Sequence, residues 1–395
     1  MAAARTTENI IMTGFVFQTV PVIEYGNDSR QKLPVHAQRC GMSNVLVVTD
    51  RGLWENPAVQ QLADDLRAAG IDVSVYLDVV ADPPDHVVQT AADKARRQKC
   101  DGVIGIGGGS AMDVAKLVAL LAYAEQPLAA MYGVDQVRER RLPLILMPTT
   151  AGTGSEVTPI AIVTTGKTTK AGIVSQQLLP DVALLDPELT VALPPAVTAH
   201  TGIDAMVHAI EAYTSVHRKN PQSDLLAREA LRLLSQNIER AFVDGDDLDA
   251  RGAMLRGAML AGQAFANAPV AAVHALAYPL GGIYHLSHGL SNALVLLPVL
   301  RFNLPAAAVH YAELSECVDG CRAGHSTHDA AQALIERLQQ LMSALKIPTS
   351  LQQAGIAEDS LPELAQQAML QQRLLVNNPR PVVYEDALAI YHSAW

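Results

Sequence analysis

This chain of 395 residues is poor in aromatics, charge and cysteine, and each scarcity excludes something. Four cysteines in so long a chain do not make the disulfide framework of a small secreted domain. Only 17% of the residues are charged and the net charge is −11, which argues against nucleic acid or an anionic membrane as a partner. The one basic cluster, Arg138–Arg141, is short, contains Glu139 and reads as a helix end or a solvated turn. No stretch of ~18 apolar residues is free of charge or helix breakers, so no membrane span is expected. The opening MAAARTTENI lacks the apolar segment of a secretory signal. These absences lead to the expectation of a soluble, cytoplasmic protein. Aromatics make up 4% of the chain against abundant alanine, a balance suited to helices packed through small side chains.

What is present divides the chain in two. Val45–Thr49, Val73–Tyr76, Val103–Ile106 and Leu144–Met147 are short apolar runs separated by helical stretches near 57–69, 85–98 and 111–124. Strand alternating with helix is the pattern of a parallel sheet wrapped by crossover helices. Short runs at Ile160–Thr164 and Val182–Leu185 read as added strands. The character changes at Leu193-Pro194-Pro195, beyond which the sequence is helix-like throughout, as in Ser223–Phe242 with Ser223 as a plausible N-cap. The expected organisation is an α/β domain over residues 1–190, Rossmann-like and nucleotide-binding, and an all-α domain over 191–395.

Four groups of residues could carry chemistry. Gly107, Gly108, Gly109 and Ser110 follow a strand and open a helix, where backbone amides can cradle a diphosphate. The run is not the usual dinucleotide fingerprint, because Ser110 takes the place of its last glycine. Asp50 ends the first long strand, where a carboxylate can accept from ribose hydroxyls and repel a 2′-phosphate. Pro148–Glu156, PTTAGTGSE, sets hydroxyls and glycines behind another strand, suited to a phosphate or a nicotinamide amide. Asp204 and His208, at i and i+4, share a helix face, and His274 and His288 flank a Pro/Gly-broken segment. One carboxylate with three imidazoles suits Fe(II), Zn(II), Co or Ni, and is too nitrogen-rich for Mg or Ca. Cys317, Cys321, His325 and His328 imitate a zinc knuckle, but with the wrong spacing; they read as turn residues.

Together these motifs carry a resemblance. GGGSAMDVAK, PTTAGTGSEVT, GIDAMVHAIEAY and HALAYPLGGIYHLSHGLSNALVLLP stand in the order found in the iron-containing (group III) alcohol dehydrogenases. The glycine loop is shared more widely, with glycerol dehydrogenases and dehydroquinate synthases. The resemblance implies a dehydroquinate synthase-like fold with the site in the cleft between two domains. It implies that Asp204, His208, His274 and His288 ligate one divalent metal, Fe(II) before Zn(II). It further implies that Gly107, Gly108, Gly109, Ser110, Asp113, Thr149, Thr150, Thr153 and Lys170 contact the cofactor, with Asp50 steering the choice to NAD over NADP.

Tyr278 departs from the family pattern, in which many members carry a histidine that helps to relay the proton. A phenol with an ordinary pKa of ~10 is a poor base at neutral pH. His285, three residues before His288, is expected to face the cleft and substitute for it. Ile160, Phe265 and Asn377 map to the substrate pocket, with no arginine beside them, which points to small or medium uncharged primary alcohols and their aldehydes. The implied activity is NAD-dependent hydride transfer between such an alcohol and C4 of nicotinamide, in a homo-oligomer of two or more chains. The alternatives are a zinc-dependent glycerol-type dehydrogenase of the same fold and a catalytically silent metal- and nucleotide-binding relative.

Overall fold

The computed structural model describes residues 14–166, 169–321 and 326–395. The chain begins with β1 (Val22–Tyr25), α1 (Leu33–Arg39), β2 (Asn44–Val48), a single turn α2 (Arg51–Trp54) and α3 (Pro57–Ala68). β3 (Asp72–Tyr76), α4 (Asp85–Arg97), β4 (Gly102–Gly107) and α5 (Gly109–Tyr123) continue the alternation. Then come the two-residue β5 (Gly133–Val134), β6 (Leu144–Pro148), the pair β7 (Ile160–Thr165) and β8 (Thr169–Val174), and β9 (Val182–Leu185). Six strands form one sheet in the order β1-β9-β6-β4-β2-β3, every neighbouring pair parallel.

The apolar runs lack polar alternation because both faces of the sheet are covered. Along β2, Leu46 and Val48 point into the core shared with α4 and α5, while Val45 and Val47 point into the core shared with α1 and α3. β7 and β8 pair antiparallel and, with β5, make a separate three-stranded sheet. β1 and β8 carry no strong apolar run, which is why neither was expected.

Every described element from Pro195 onward is helical: α6 (Pro195–Thr214), α7 (Pro221–Val243), α8 (Leu248–Asn267), α9 (Ala272–Tyr284), α10 (His288–Ser315), α11 (Thr327–Ala344), α12 (Leu361–Met369), α13 (Gln372–Leu375) and α14 (Tyr384–Ala394). They enclose one large core of alanine, leucine and valine. α10 is long and apolar enough to cross a membrane by length and composition, but it contains Pro298 and Pro305, and half of its most apolar window is buried among the other helices.

Two local expectations change. α7 is capped by Asn220, whose Oδ1 accepts from the Ser223 amide at 2.9 Å, so Ser223 lies inside the first turn. Arg141 is not a solvated turn residue: its side chain is mostly buried and donates to Asp181 at 2.6 Å and to the carbonyls of Gln177 and Leu179.

A close backbone contact joins the loop after β6 to the helical half. Gly154 has φ +59°, and a Cβ on it would stand 2.6 Å from Cα of Gly262 on α8. Only glycine at both positions allows backbone to meet backbone this closely. The loop that follows β6 is thereby set against α8.

Candidate active site

Helical spacing brings four ligand-competent residues together. Asp204 and His208 stand one turn apart on α6, His274 sits in the first turn of α9, and His288 is the first residue of α10. α9 ends at Tyr284 because His285 adopts a left-handed conformation, φ 56°, and its amide closes onto the Gly281 carbonyl at 3.1 Å. Three residues, 285–287, then turn the chain so that His288 returns toward His274. One ligand atom from each of the four residues lies within 4.8 Å of the others, and the three histidine Nε2 atoms stand 3.6–4.0 Å from Asp204 Oδ1. Burial holds the His208 and His288 imidazoles neutral, lowered to about 3 and about 4, so their lone pairs are free to ligate.

The neighbours of this cluster fit a metal. Glu211, one turn beyond His208 on α6, accepts from His274 Nδ1 at 2.6 Å with one oxygen and from the Val273 amide at 2.7 Å with the other. That bond fixes the tautomer and leaves Nε2 of His274 unprotonated toward the cluster. Asn292, one turn after His288, is fully buried; its Nδ2 donates to Asp204 Oδ1 at 2.5 Å and lies 3.2–3.3 Å from Nε2 of His274 and His288. Phe265 stacks on His208 with ring centroids 4.4 Å apart.

The glycine loop runs from the end of β4 into α5. Gly107 has φ +151°, and a Cβ there would meet the Ala111 side chain at 2.7 Å; at Gly109 it would meet Thr153 at 2.9 Å. The N-terminus of α5 has no side-chain cap, and Thr150 Oγ1 beside it is buried without a partner. An uncapped helix start, bare backbone and an orphaned hydroxyl fit a diphosphate. Thr149, buried just after β6, donates its amide to the Gly107 carbonyl at 3.0 Å. Asp50, beyond β2, caps α2 through Leu53 N at 2.9 Å. Asp113 is already engaged: it accepts from Ser155 Oγ at 2.6 Å and from Ile162 N at 2.9 Å, a clamp between α5 and β7. Lys170 is paired with Asp82 at 2.6 Å.

Loop and cluster open onto one cavity of about 210 Å³, whose lining includes Gly109, Ser110, Thr153, Ile160, Phe265, His208, His274 and His288. Three expectations are corrected there. His285 is exposed and does not line the cavity, because its left-handed cap position turns the chain outward at the start of the break. Asn377 is buried behind the wall, where Nδ2 donates to the carbonyls of Val270 at 2.9 Å and Arg373 at 3.1 Å. Most consequential, an arginine does line the cavity: Arg373, from α13, beside Tyr278. Burial raises the Tyr278 phenol above its ordinary value, with Arg373 acting in the opposite sense, so the group stays protonated at neutral pH. His325 of the zinc-knuckle imitation lies outside the described residues.

Comparison with known proteins places this geometry. Residues 21–187 match the model of the iron-containing alcohol dehydrogenases and residues 198–395 that of the family's C-terminal domain. The chain belongs to the iron-containing alcohol dehydrogenase family. It is accordingly an oxidoreductase acting on CH–OH groups. It is 42% identical to long-chain-alcohol dehydrogenase 1 of Geobacillus thermodenitrificans, covering 95% of each chain. The structure of a 1,3-propanediol oxidoreductase superposes with a TM-score of 0.94 at 36% identity, over 97% of this chain and 100% of the other. A sulfoacetaldehyde reductase from Bifidobacterium kashiwanohense, solved in complex with NAD⁺, superposes with a TM-score of 0.87 at 28% identity, over 97% and 99% of the two chains.

Within this family member, sequence reasoning missed Glu211, Asn292, Arg373 and Lys116. Lys116 is fully buried in α5; its Nζ donates to Ser155 Oγ at 2.8 Å, Thr158 Oγ1 at 3.2 Å and the Ile160 carbonyl at 2.7 Å, and burial lowers it to about 8. All three partners line the cavity, so Lys116 braces the wall from behind. A lysine inside VAKLVALLA was the available signal.

Proposed function

We propose that this chain is an NAD- and metal-dependent alcohol dehydrogenase and aldehyde reductase. It exchanges hydride between a small primary alcohol and C4 of nicotinamide, with Fe(II) as the resident ion held by Asp204, His208, His274 and His288. The observation that carries this reading is that three of the four ligands, His208, His274 and His288, line the same cavity as Gly109 and Ser110 at the uncapped start of α5. A divalent ion bound there supplies Lewis acidity, lowering the pKa of an alcohol hydroxyl or polarising an aldehyde carbonyl.

The chain's own residues do the rest. Glu211 and Asn292 orient His274 and Asp204. Phe265, Val270, Ile160 and Ile162 form apolar walls that exclude water from the reacting carbon. Gly107, Gly108, Gly109 and Ser110 hold the diphosphate, while Thr149, Thr150 and Thr153 contact the cofactor beside it. Asp50 keeps one carboxylate oxygen for the adenosine ribose, which favours NAD over NADP. Tyr278, protonated, acts as a hydrogen-bond donor rather than a base. With His285 turned outward, proton exchange at the hydroxyl runs through water at the cavity mouth.

The test is a steady-state assay with NAD⁺, a panel of primary alcohols and protein loaded with Fe²⁺ or Zn²⁺. NADH is expected with wild type and not with His288→Ala. Absence of turnover in both directions at confirmed metal occupancy refutes the reading. Faster turnover with Zn²⁺ than with Fe²⁺ overturns the assignment of iron.

A further inference from the structure

The cavity holds a cation with no carboxylate partner. Its two acidic lining residues are committed, Asp82 to Lys170 at 2.6 Å and Asp113 to Ser155 and Ile162 N. Among the described residues no carboxylate pairs with the Arg373 guanidinium, although the chain carries 40 acidic residues against 29 lysines and arginines. A guanidinium without a carboxylate partner beside a cavity keeps donors that an incoming anion can accept from.

Arg373 is exposed, yet it is not a loose surface side chain. It reaches over β8 where Gly172 has no side chain: a Cβ there would lie 3.5 Å from Nη2. Tyr278, whose hydroxyl it faces, lines the cavity beside it. The turn that carries it is tied to the cavity wall by Asn377, which holds the carbonyls of Arg373 and Val270 with the same amide. The guanidinium is therefore supported from the N-terminal sheet, from α9 and from behind. Apolar surface on Val270, Phe265 and Ile162 offers a wall for a short methylene chain.

We infer that Arg373 selects short aldehydes and alcohols bearing an oxyanion at the end remote from the reacting carbon, with a carboxylate or sulfonate received by the guanidinium fork. This rests on the dehydrogenase reading above and adds the chemistry of the far end, in place of the uncharged substrates expected from the sequence. In the reductive direction the aldehyde carbon takes hydride from NADH and its oxygen takes a proton from water. The products are the ω-hydroxy carboxylate or sulfonate, NAD⁺ and hydroxide, with the distal oxyanion unchanged.

The test compares ω-oxo carboxylates of three to five carbons with the aldehydes of equal length that lack the carboxylate, using metal-loaded wild type, Arg373→Met and Arg373→Lys. Wild type is expected to favour one of the oxo acids in kcat/KM by about tenfold or more, and Arg373→Met to reduce that ratio by about tenfold, with Arg373→Lys between them. A wild-type ratio near one, or a ratio that Arg373→Met leaves within about twofold, overturns the inference. So does a rise in the KM for NADH that is equal for both substrate types, since that assigns the arginine to the cofactor. Calorimetric binding of 4-hydroxybutanoate and of 1-butanol to the protein–NADH complex separates the two levels. If nothing turns over but the hydroxy acid binds about tenfold more weakly to Arg373→Met than to wild type, the dehydrogenase reading fails and the anion site stands. If binding of the hydroxy acid is indifferent to Arg373, the anion site fails whatever the turnover.

Discussion

Replacing Glu211 by glutamine tests whether the buried carboxylate behind His274 sets the metal site. Both of its oxygens are used as acceptors, one by His274 Nδ1 at 2.6 Å and one by the Val273 amide at 2.7 Å. Glutamine keeps the shape but has one acceptor oxygen and one donor nitrogen. If the oxygen stays with Val273, the amide nitrogen faces Nδ1 and forces the proton onto Nε2, the atom needed by the ion. If the amide turns over, its nitrogen confronts the Val273 N–H in a buried site. Each arrangement forfeits about one charge-assisted hydrogen bond, roughly 1.5–3 kcal/mol, which corresponds to about 10–100-fold in metal affinity and agrees with the usual cost of removing such a supporting group. The assay is competition for Zn²⁺ or Co²⁺ between the protein and a chelator of known affinity, with kcat measured separately at saturating metal. An affinity within about twofold of wild type would refute the argument that Glu211 fixes the tautomer of His274.

Three further outcomes are expected. The metal-free protein should weaken in acid, because His208 near 3 and His288 near 4 stay neutral when folded but protonate below about 6.5 when unfolded. Stability from these groups is present above pH 6.5 and falls as the pH drops toward 4, by about 3 kcal/mol at pH 5 with allowance for the partial exposure of His288. Urea midpoints at pH 7 and 5 measure this, and equal midpoints count against it. Asp50→Ser should raise the NADP⁺/NAD⁺ ratio of kcat/KM by about tenfold or more while leaving the melting temperature within about 2 °C, because serine can still cap α2. An unchanged ratio removes Asp50 from cofactor choice. His285→Ala should leave kcat within about twofold, since the side chain is exposed and off the cavity; a large loss in kcat restores it to the proton path.

The strands of the main sheet were readable wherever a run was buried on both faces, as in Val45–Val48 and Leu144–Met147. β1, an edge strand with half its residues exposed, carries no such signal. The metal cluster was readable because helix geometry converts sequence spacing into spatial proximity at i and i+4 on α6, whereas the expected break between His274 and His288 comes later than the sequence suggested, at residues 285–287, since α9 runs on through Pro279, Gly281 and Gly282. The same rule reaches Glu211 and Asn292, each one turn along from a ligand, and a polar side chain in those apolar segments was the mark to follow. Arg373 follows no such rule. It comes to Tyr278 from 95 positions along the chain through the packing of α13 on α9, and local periodicity carries no record of that contact. The outward turn of His285 was missed for a related reason: counting three residues back from His288 assumed one continuous helix, and the chain breaks between them.

That break has a thermodynamic consequence. His274 and His288 stand on either side of residues 285–287, so an ion held by both fastens the two helix ends in register. A ligand that binds only the closed arrangement stabilises it by mass action, in proportion to the logarithm of its free concentration over its dissociation constant. Short interruptions between helices are where local opening is cheapest. Metal loading is therefore recorded in the backbone itself: amide exchange at residues 284–288 should slow as the ion binds, making this junction a gauge of occupancy that needs no substrate and no turnover.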